Sequence, residues 1–281
     1  TIKAWELCER MKLPRMIFVT DMDDDNASYR EVVESLKEKY GNRIAPFHTP
    51  IRENEKFVGF VNVVKMAGRK FSGKLGEYTD GDIPEYCMDY TNTYRTALVE
   101  SVAETSEELM EKYFMGEEFT EVELETAIRL SVASGDMIPV LCGSGILGRG
   151  CHALLQSIDK YFPSPNKCVI TGMSKKNDTT FMADYDANKD FSAKVFKTIV
   201  DPFIGKYFLI KVCSGVIKSD DVIYNKDKDV EEKISKLYVM QGGKSIEVKE
   251  LHAGDLGALA KITAARTGNT LSTKSHIIRY G

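Results

Sequence analysis

IPVLCGSGILGRGCHALLQSIDKYFPSP, residues 138–165, compresses a strand, a loop, a helix and a stop into one run. Met137 to Cys142 is a short unbroken apolar segment, which suits a parallel strand buried on both faces. The small-residue loop Cys142-Gly143-Ser144-Gly145 follows. Leu154, Leu155, Ile158 and Phe162 then recur at helical spacing until Pro163-Ser164-Pro165 ends the helix. A second strand–loop pair lies upstream, where Met16-Ile17-Phe18-Val19 runs into the acidic loop Thr20 to Asp25. In an open parallel sheet, ligands bind beyond the carboxyl ends of the strands, which makes these two loops the candidate binding elements. From pattern alone each has a bland competitor: an acidic loop is usually solvated, and a small-residue loop is usually a turn.

Working outward, residues 2–11 read as a helix with Ile2, Trp5, Leu7 and Met11 inward. Asn26 is placed to cap a helix whose inward residues are Tyr29, Val32, Val33, Leu36 and Tyr40, with Gly41 as its stop. Ile44 to Pro50 reads as a strand, completing a βαβ rhythm and an α/β layer. Beyond it the character changes. Phe57 to Val64 reads as a strand, the glycine-rich acidic stretch to Asp82 as turns, and Tyr94 to Phe114 as one long amphipathic helix. Thr120-x-x-Glu123 is a capping box that opens the next helix. After Pro165 the helical period disappears. Strand-like runs at short spacing, separated by turn signals such as Asp201-Pro202, Gly242-Gly243 and Gly254-Asp255, predict a closed antiparallel barrel or a sandwich.

The chain has 281 residues and a net charge of −4, which argues against a nucleic-acid binder until the distribution is considered. Residues 1–165 carry 19 Lys+Arg against 28 Asp+Glu, whereas residues 166–281 carry 19 against 14. An acidic front joined to a basic back points to phosphate backbones as partners of the back half. No apolar run reaches the ~18 residues of a membrane span. The N-terminus, TIKAWELCERMKLP, has no signal-peptide pattern, and a start inside an amphipathic helix reads as a truncated piece. Cys8, Cys87, Cys142, Cys151, Cys168 and Cys213 form no C-x-x-C pair and read as reduced core thiols, and the four histidines have no metal-ligand spacing.

These stretches together resemble the elongation factor G type of translational GTPase. PRMIFVTDMDDDNASY (14–29) resembles that family's guanine-recognition strand and loop, where Asn-Lys-x-Asp is expected. The 138–165 run resembles its later base-contacting Ser-Ala-x loop, helix and proline-rich exit. ALVESVAETSEELMEKYFMGEEFTEVELETAIR (97–129) resembles the insert subdomain, the most specific part of the match because most GTPases lack it. DPFIGKYFLIKVCSGVIKSDDVIYN (201–225) and VKELHAGDLGALAKI (248–262) resemble the barrel of domain II. The resemblance implies an incomplete α/β GTPase-type parallel sheet over 1–165, with an α+β insert at about 51–134, followed by an all-β antiparallel barrel over 166–281.

It also implies roles. Asp23 matches the family's final Asp, whose carboxylate accepts from guanine N1–H and the 2-amino group; an acceptor-only group suits that edge. Ser144 matches the serine that steadies the second loop, and Gly145, where alanine is usual, keeps the backbone N–H that approaches guanine O6; Ile146 completes the nucleotide-binding set. Two positions depart from the pattern. Thr20 replaces Asn and loses an amide's donor–acceptor pair; Asp21 replaces Lys and loses the aliphatic stem that covers the purine face. At about 0.5–1.5 kcal/mol per lost hydrogen bond, the two changes weaken guanine binding roughly ten- to a hundredfold. In the family the barrel lies against ribosomal RNA, which makes Lys194, Lys197, Lys206, Lys233, Lys236 and Lys244 the candidate RNA contacts, with Lys211 and Lys249 beside them.

The G-x-x-x-x-G-K-[ST] phosphate loop is not found in these 281 residues, and the magnesium and switch residues of the family are expected before Thr1. GTP or GDP and Mg²⁺ are therefore expected cofactors of a full-length parent, with no catalytic or metal-ligating residue and no activity expected in this piece. The implied parent is a cytoplasmic, ribosome-dependent GTPase of translocation that meets ribosomal RNA and ribosomal proteins, with neither membrane nor DNA as partner. Two alternatives stay open: a tetracycline-resistance type ribosomal protection factor, and a divergent ribosome-binding paralogue with relaxed or lost guanine specificity.

Overall fold

A computed structural model describes residues 2–73, 76–167, 169–174, 178–201 and 205–281. Cys168 and the turn residues Pro202 and Phe203 lie outside these. The chain divides into two compact units, Thr1–Phe162 and Pro163–Gly281.

The first unit begins with α1 (Ile2–Met11), β1 (Ile17–Val19), α2 (Tyr29–Tyr40) and β2 (Ile44–Pro46). An antiparallel sheet of four strands follows: β3 (His48–Glu53), β4 (Lys56–Asn62), β5 (Ala67–Ser72) and β6 (Glu77–Gly81), in the order of the chain. Three helices come next, α3 (Glu85–Ala103), α4 (Glu107–Met115) and α5 (Glu121–Ser134). The chain then returns through β7 (Ile138–Cys142) and α6 (Cys151–Tyr161). The parallel sheet has the order β1-β7-β2, so β7 is its centre although it comes last in sequence. All five residues of β7 are buried, as its unbroken apolar run requires. Val33 of α2, Phe60 of β4, Ile128 and Val132 of α5, and Ile138 and Val140 of β7 share one core. The elements inserted between β2 and β7 are thereby locked onto the sheet that carries both loops. Each such buried aliphatic side chain contributes about 1.5–3 kcal/mol.

Several local expectations are corrected. The helix after the acidic loop starts at Tyr29 with Ser28 as its cap, because Asn26 is engaged with Asp24 Oδ1. The long helix is broken at Glu104–Ser106, where Ser106 accepts from the Leu109 N–H and starts α4. The stretch read as turns before Asp82 forms β5 and β6. Of the four residues assigned to the inner face of α1 only Trp5 is buried; Ile2, Leu7 and Met11 are exposed, as are Leu155 and Ile158 of α6 and Val32 of α2. The capping box at Thr120 and Glu123 is present in both directions.

The second unit is all-β. Its strands are β8 (Thr171–Ser174), β9 (Thr179–Met182), β10 (Ser192–Asp201), β11 (Gly205–Ser214), β12 (Val216–Lys218), β13 (Val222–Asn225), β14 (Val230–Lys233), β15 (Leu237–Gln241), β16 (Lys244–Val248), β17 (Glu250–His252), β18 (Leu256–Ala260), β19 (Thr270–Ser272) and β20 (Ile278–Arg279). The main sheet is antiparallel in the order β14-β13-β19-β10-β11-β18-β15-β16. The expected closed barrel is not found: among the described residues no ladder joins β14 to β16. Both end strands are exposed and charged, Val-Glu-Glu-Lys in β14 and Lys-Ser-Ile-Glu-Val in β16, which is how sheet edges are kept from pairing. The core of this unit gathers Val195, Ile210, Val212, Ile223, Leu237, Leu259 and Leu271.

Candidate functional site

Two parallel strands determine the site. β1 and β7 pair in the register Ile17–Val140, Phe18–Leu141 and Val19–Cys142, so the chain leaves both strands at the same end of the sheet. The ladder continues into the loops: Gly143 N–H donates to Val19 O at 2.9 Å, and Met22 N–H donates to Gly143 O at 3.1 Å. A methyl group placed on Gly145 would come 3.7 Å from Thr20 Oγ1. The structure therefore brings Thr20, Asp21 and Asp23 to the same rim as Ser144, Gly145 and Ile146. Gly143 has to be glycine at this junction, since a Cβ there would lie 2.3 Å from Phe18 Cζ and 2.5 Å from Arg149 O.

The six residues differ in what they do. The Ser144 side chain is buried; its Oγ accepts from Leu147 N–H at 3.2 Å, and its N–H donates to Arg149 O at 2.8 Å, which closes the second loop on itself. Gly145 is exposed at the tip of that loop and its N–H has no partner among the described residues. Ile146 beside it is 87% exposed. Asp23 is exposed, and its carboxylate makes no hydrogen bond or ion pair among the described residues. Thr20 Oγ1 donates to Asp21 Oδ1 at 3.2 Å, so those two side chains engage each other. Asp21 adopts φ 61°, a left-handed conformation in which Asp and Asn are tolerated better than bulkier residues.

Sequence reasoning missed the groups that hold the loops. Arg52 of β3 donates from Nη2 to three carbonyls of the first loop, Met22 at 2.8 Å, Asp24 at 2.9 Å and Ala27 at 3.2 Å. A guanidinium suits a loop with four carboxylates, Asp21, Asp23, Asp24 and Asp25, because it satisfies carbonyls and lowers repulsion at once. Met22 anchors the same loop by burying its side chain in the core. Arg149 does the matching work in the second loop, donating from Nη1 to Phe57 O. Tyr29, the first residue of α2, reaches the centre of the sheet with its hydroxyl on Val140 O at 3.0 Å. Burial pushes that phenol well above its ordinary range, so it stays a neutral donor. Arg52 carried no signal within its own segment; only the number of loop carboxylates asked for a nearby cation.

The model of the Elongation factor Tu GTP binding domain matches residues 1–164, more than half of the chain, and that of Elongation factor G domain 2 matches residues 190–274. The chain belongs to the translational GTPases. A crystal structure of a Thermus thermophilus protein is similar to it with a TM-score of 0.80 and 30% sequence identity, over 97% of this chain and 38% of that one. This translational GTPase chain thus spans well under half of the length of the solved protein it matches.

In the second unit of this translational GTPase the candidate lysines separate into groups. Lys194 of β10 lies opposite Lys211 of β11, and after a bulge Lys197 lies opposite Leu209. Ala193, Val195, Ile210 and Val212 on the alternate positions are in the core, so Lys194, Lys197 and Lys211 share the outer face. Lys206 pairs with Val200 in the same ladder. Lys233 and Lys236 are spent on ion pairs, with Asp220 at 3.0 Å and Glu247 at 2.7 Å. Lys233 on β14 and Lys244 on β16 occupy opposite ends of the sheet order and form no common stripe. Among the described residues no group of His, Cys, Asp and Glu is placed to hold a metal ion, and no helix is long and apolar enough to cross a membrane. Cys87, Cys142 and Cys213 are buried free thiols, and Cys8 and Cys151 are half-buried free thiols.

Proposed function

We propose that this chain supplies the guanine-reading rim, the insert and domain II of a longer, ribosome-dependent GTPase that acts in translocation during protein synthesis. The observation that carries the reading is the convergence of the Thr20–Asp25 and Gly143–Arg149 loops beyond two paired parallel strands. It leaves on one rim a carboxylate at Asp23 and an N–H at Gly145 that have no partner among the described residues. A carboxylate accepts from the N1–H and 2-amino donors of guanine, an edge adenine does not offer, and a backbone N–H answers O6. Ser144 and Arg52 act as positioning residues for these two groups.

In this reading the phosphates and Mg²⁺ are held by a part of the longer protein outside these 281 residues, and the chain alone neither binds GTP measurably nor hydrolyses it. The protein works in the cytoplasm, and the outer-face lysines Lys194, Lys197 and Lys211 meet ribosomal RNA phosphates. A second reading, a paralogue with relaxed guanine specificity, has one observation in its favour: Thr20 and Asp21 are bonded to each other and so turned from the roles of an Asn and a Lys. The test is GTP turnover by the full-length protein with and without ribosomes, against ATP. Ribosome-stimulated hydrolysis of GTP alone supports translocase chemistry; ribosome-stimulated hydrolysis of ATP as well as GTP supports the second reading; hydrolysis of neither refutes both.

A further inference from the structure

Outside the two loops, the first unit contains a recess of about 500 Å³. It is walled by β3 to β6 on one side and by α5 and α6 on the other. Its size is that of a small-molecule site. Four cations line it, Lys65, Arg69, Arg129 and Lys160, against one carboxylate, Asp159. The ring of His48 is part of its wall and is 2% exposed, yet its Nδ1 has no hydrogen-bond partner among the described residues. A buried polar atom without a partner is uncommon in a native fold, and here it borders a recess large enough to bring one.

Three of the cations are held by carboxylates. Arg69 Nε donates to Asp80 at 2.8 Å and its guanidinium lies 4.4 Å over the Tyr78 ring; Lys65 pairs with Glu121 at 2.9 Å, and Lys160 with Glu125. None of those three carboxylates lines the recess. Among the described residues Arg129 spends only Nε, on Lys160 O at 3.2 Å, and its two terminal nitrogens have no partner there. Burial, with Arg69 nearby, lowers His48 to about 3, which keeps the imidazole neutral and able to present an N–H.

We infer that this recess binds a small phosphorylated molecule, its phosphoryl oxygens accepting from Arg129, Lys160 and the His48 Nδ1–H. Arginine's planar fork matches a phosphoryl group bidentately, and the buried imidazole supplies a neutral donor in the wall. The cations converge on a cavity and do not project as a stripe, which suits a compact anion better than a polynucleotide backbone. The inference is independent of the nucleotide rim and uses none of its residues.

Isothermal titration of the 281-residue chain with pyrophosphate and with ribose 5-phosphate, against sodium chloride of matched ionic strength, tests it. Saturable binding of at least one probe is expected, weakened about tenfold or more in Arg129→Ala and again in Lys160→Ala, and unchanged in Lys56→Ala. Both affected side chains reach the surface, and circular dichroism of each variant confirms folding. In the wild-type chain, NMR titration should show His48 protonating at a higher pH with the probe bound. Binding that persists in Arg129→Ala, or no saturable binding of either probe, overturns the proposal. Binding of a short single-stranded RNA with neither small anion bound also overturns it, in favour of a polynucleotide surface.

Discussion

Replacing Arg52 by methionine should release the Thr20–Ala27 loop while leaving the sheet beneath it intact. The guanidinium donates to the carbonyls of Met22, Asp24 and Ala27, and from Nη1 to Glu55 O at 3.1 Å. A hydrogen bond from a charged donor contributes about 1.5–3 kcal/mol when shielded from water. Arg52 is half-buried, and Asp24 lies in an exposed stretch, so water replaces part of what is lost. A net cost of about 2–3 kcal/mol for opening the loop follows, which is roughly one and a half to two decades in the opening equilibrium. Methionine keeps much of the stem's packing, so the change isolates the donors. Hydrogen exchange across residues 20–28 reads this directly: protection should fall by that factor, while β7 stays as protected as in the wild type. Arg52→Lys should lie between the two, because an ammonium keeps the charge but loses the reach and the fixed fork by which the guanidinium also holds Glu55 O through Nη1. If loop exchange is unchanged, Arg52 does not hold the rim; if protection falls equally throughout the unit, the loop is not an independent element.

Other consequences follow from the same geometry. Thr20→Asn combined with Asp21→Lys should raise guanine-nucleotide affinity of the full-length protein roughly ten- to a hundredfold in calorimetry, less the cost of lysine at φ 61°. Tyr29→Phe should cost only about 0.5–1 kcal/mol in urea denaturation, because Val140 O keeps its second donor, the Phe47 N–H at 2.9 Å. Glu123 is held down to about 2 by the Lys112 ammonium and by Thr120, so its folded value lies below its unfolded one. Its contribution is complete above about pH 4.5 and is lost as the pH falls towards 2. Proton-detected titration of Glu123 should show the low midpoint, and Glu123→Gln should remove that part of the acid sensitivity.

The residues that describe the sheet were legible because their patterns are local. A run such as Ile138 to Cys142 has no other economical place than a buried parallel strand, and Thr120 with Glu123 names a helix start outright. The convergence of the two loops needed the resemblance as well, since nothing in the spacing of residues 20 and 143 states that β1 and β7 are neighbours. What stayed hidden depends on distant partners. Arg52 looks like any exposed strand arginine until the fold sets it under three carbonyls. Ile2, Leu7, Met11, Leu155 and Ile158 keep the helical period but remain exposed, so periodicity there marked an apolar face without saying what covers it. The open order of the large sheet was equally invisible: strand spacing counts strands, whereas closure depends on whether charged end strands such as β14 and β16 pair. The recess around His48 combines β3, β5, α5 and α6, residues far apart in sequence with no shared motif.

The claim that matters most is that the Asp23 carboxylate reads a purine edge, and an exchange of ligand chemistry tests it. Xanthine carries a carbonyl where guanine carries the 2-amino group, so an amide at position 23 should fit xanthine and a carboxylate should fit guanine. In the full-length protein, Asp23→Asn should weaken GTP binding about thirtyfold or more, since breaking a charge-assisted pair enclosed by the bound base costs about 2–5 kcal/mol, and should strengthen binding of XTP. Unaltered GTP affinity in Asp23→Asn, with no gain for XTP, would contradict the account.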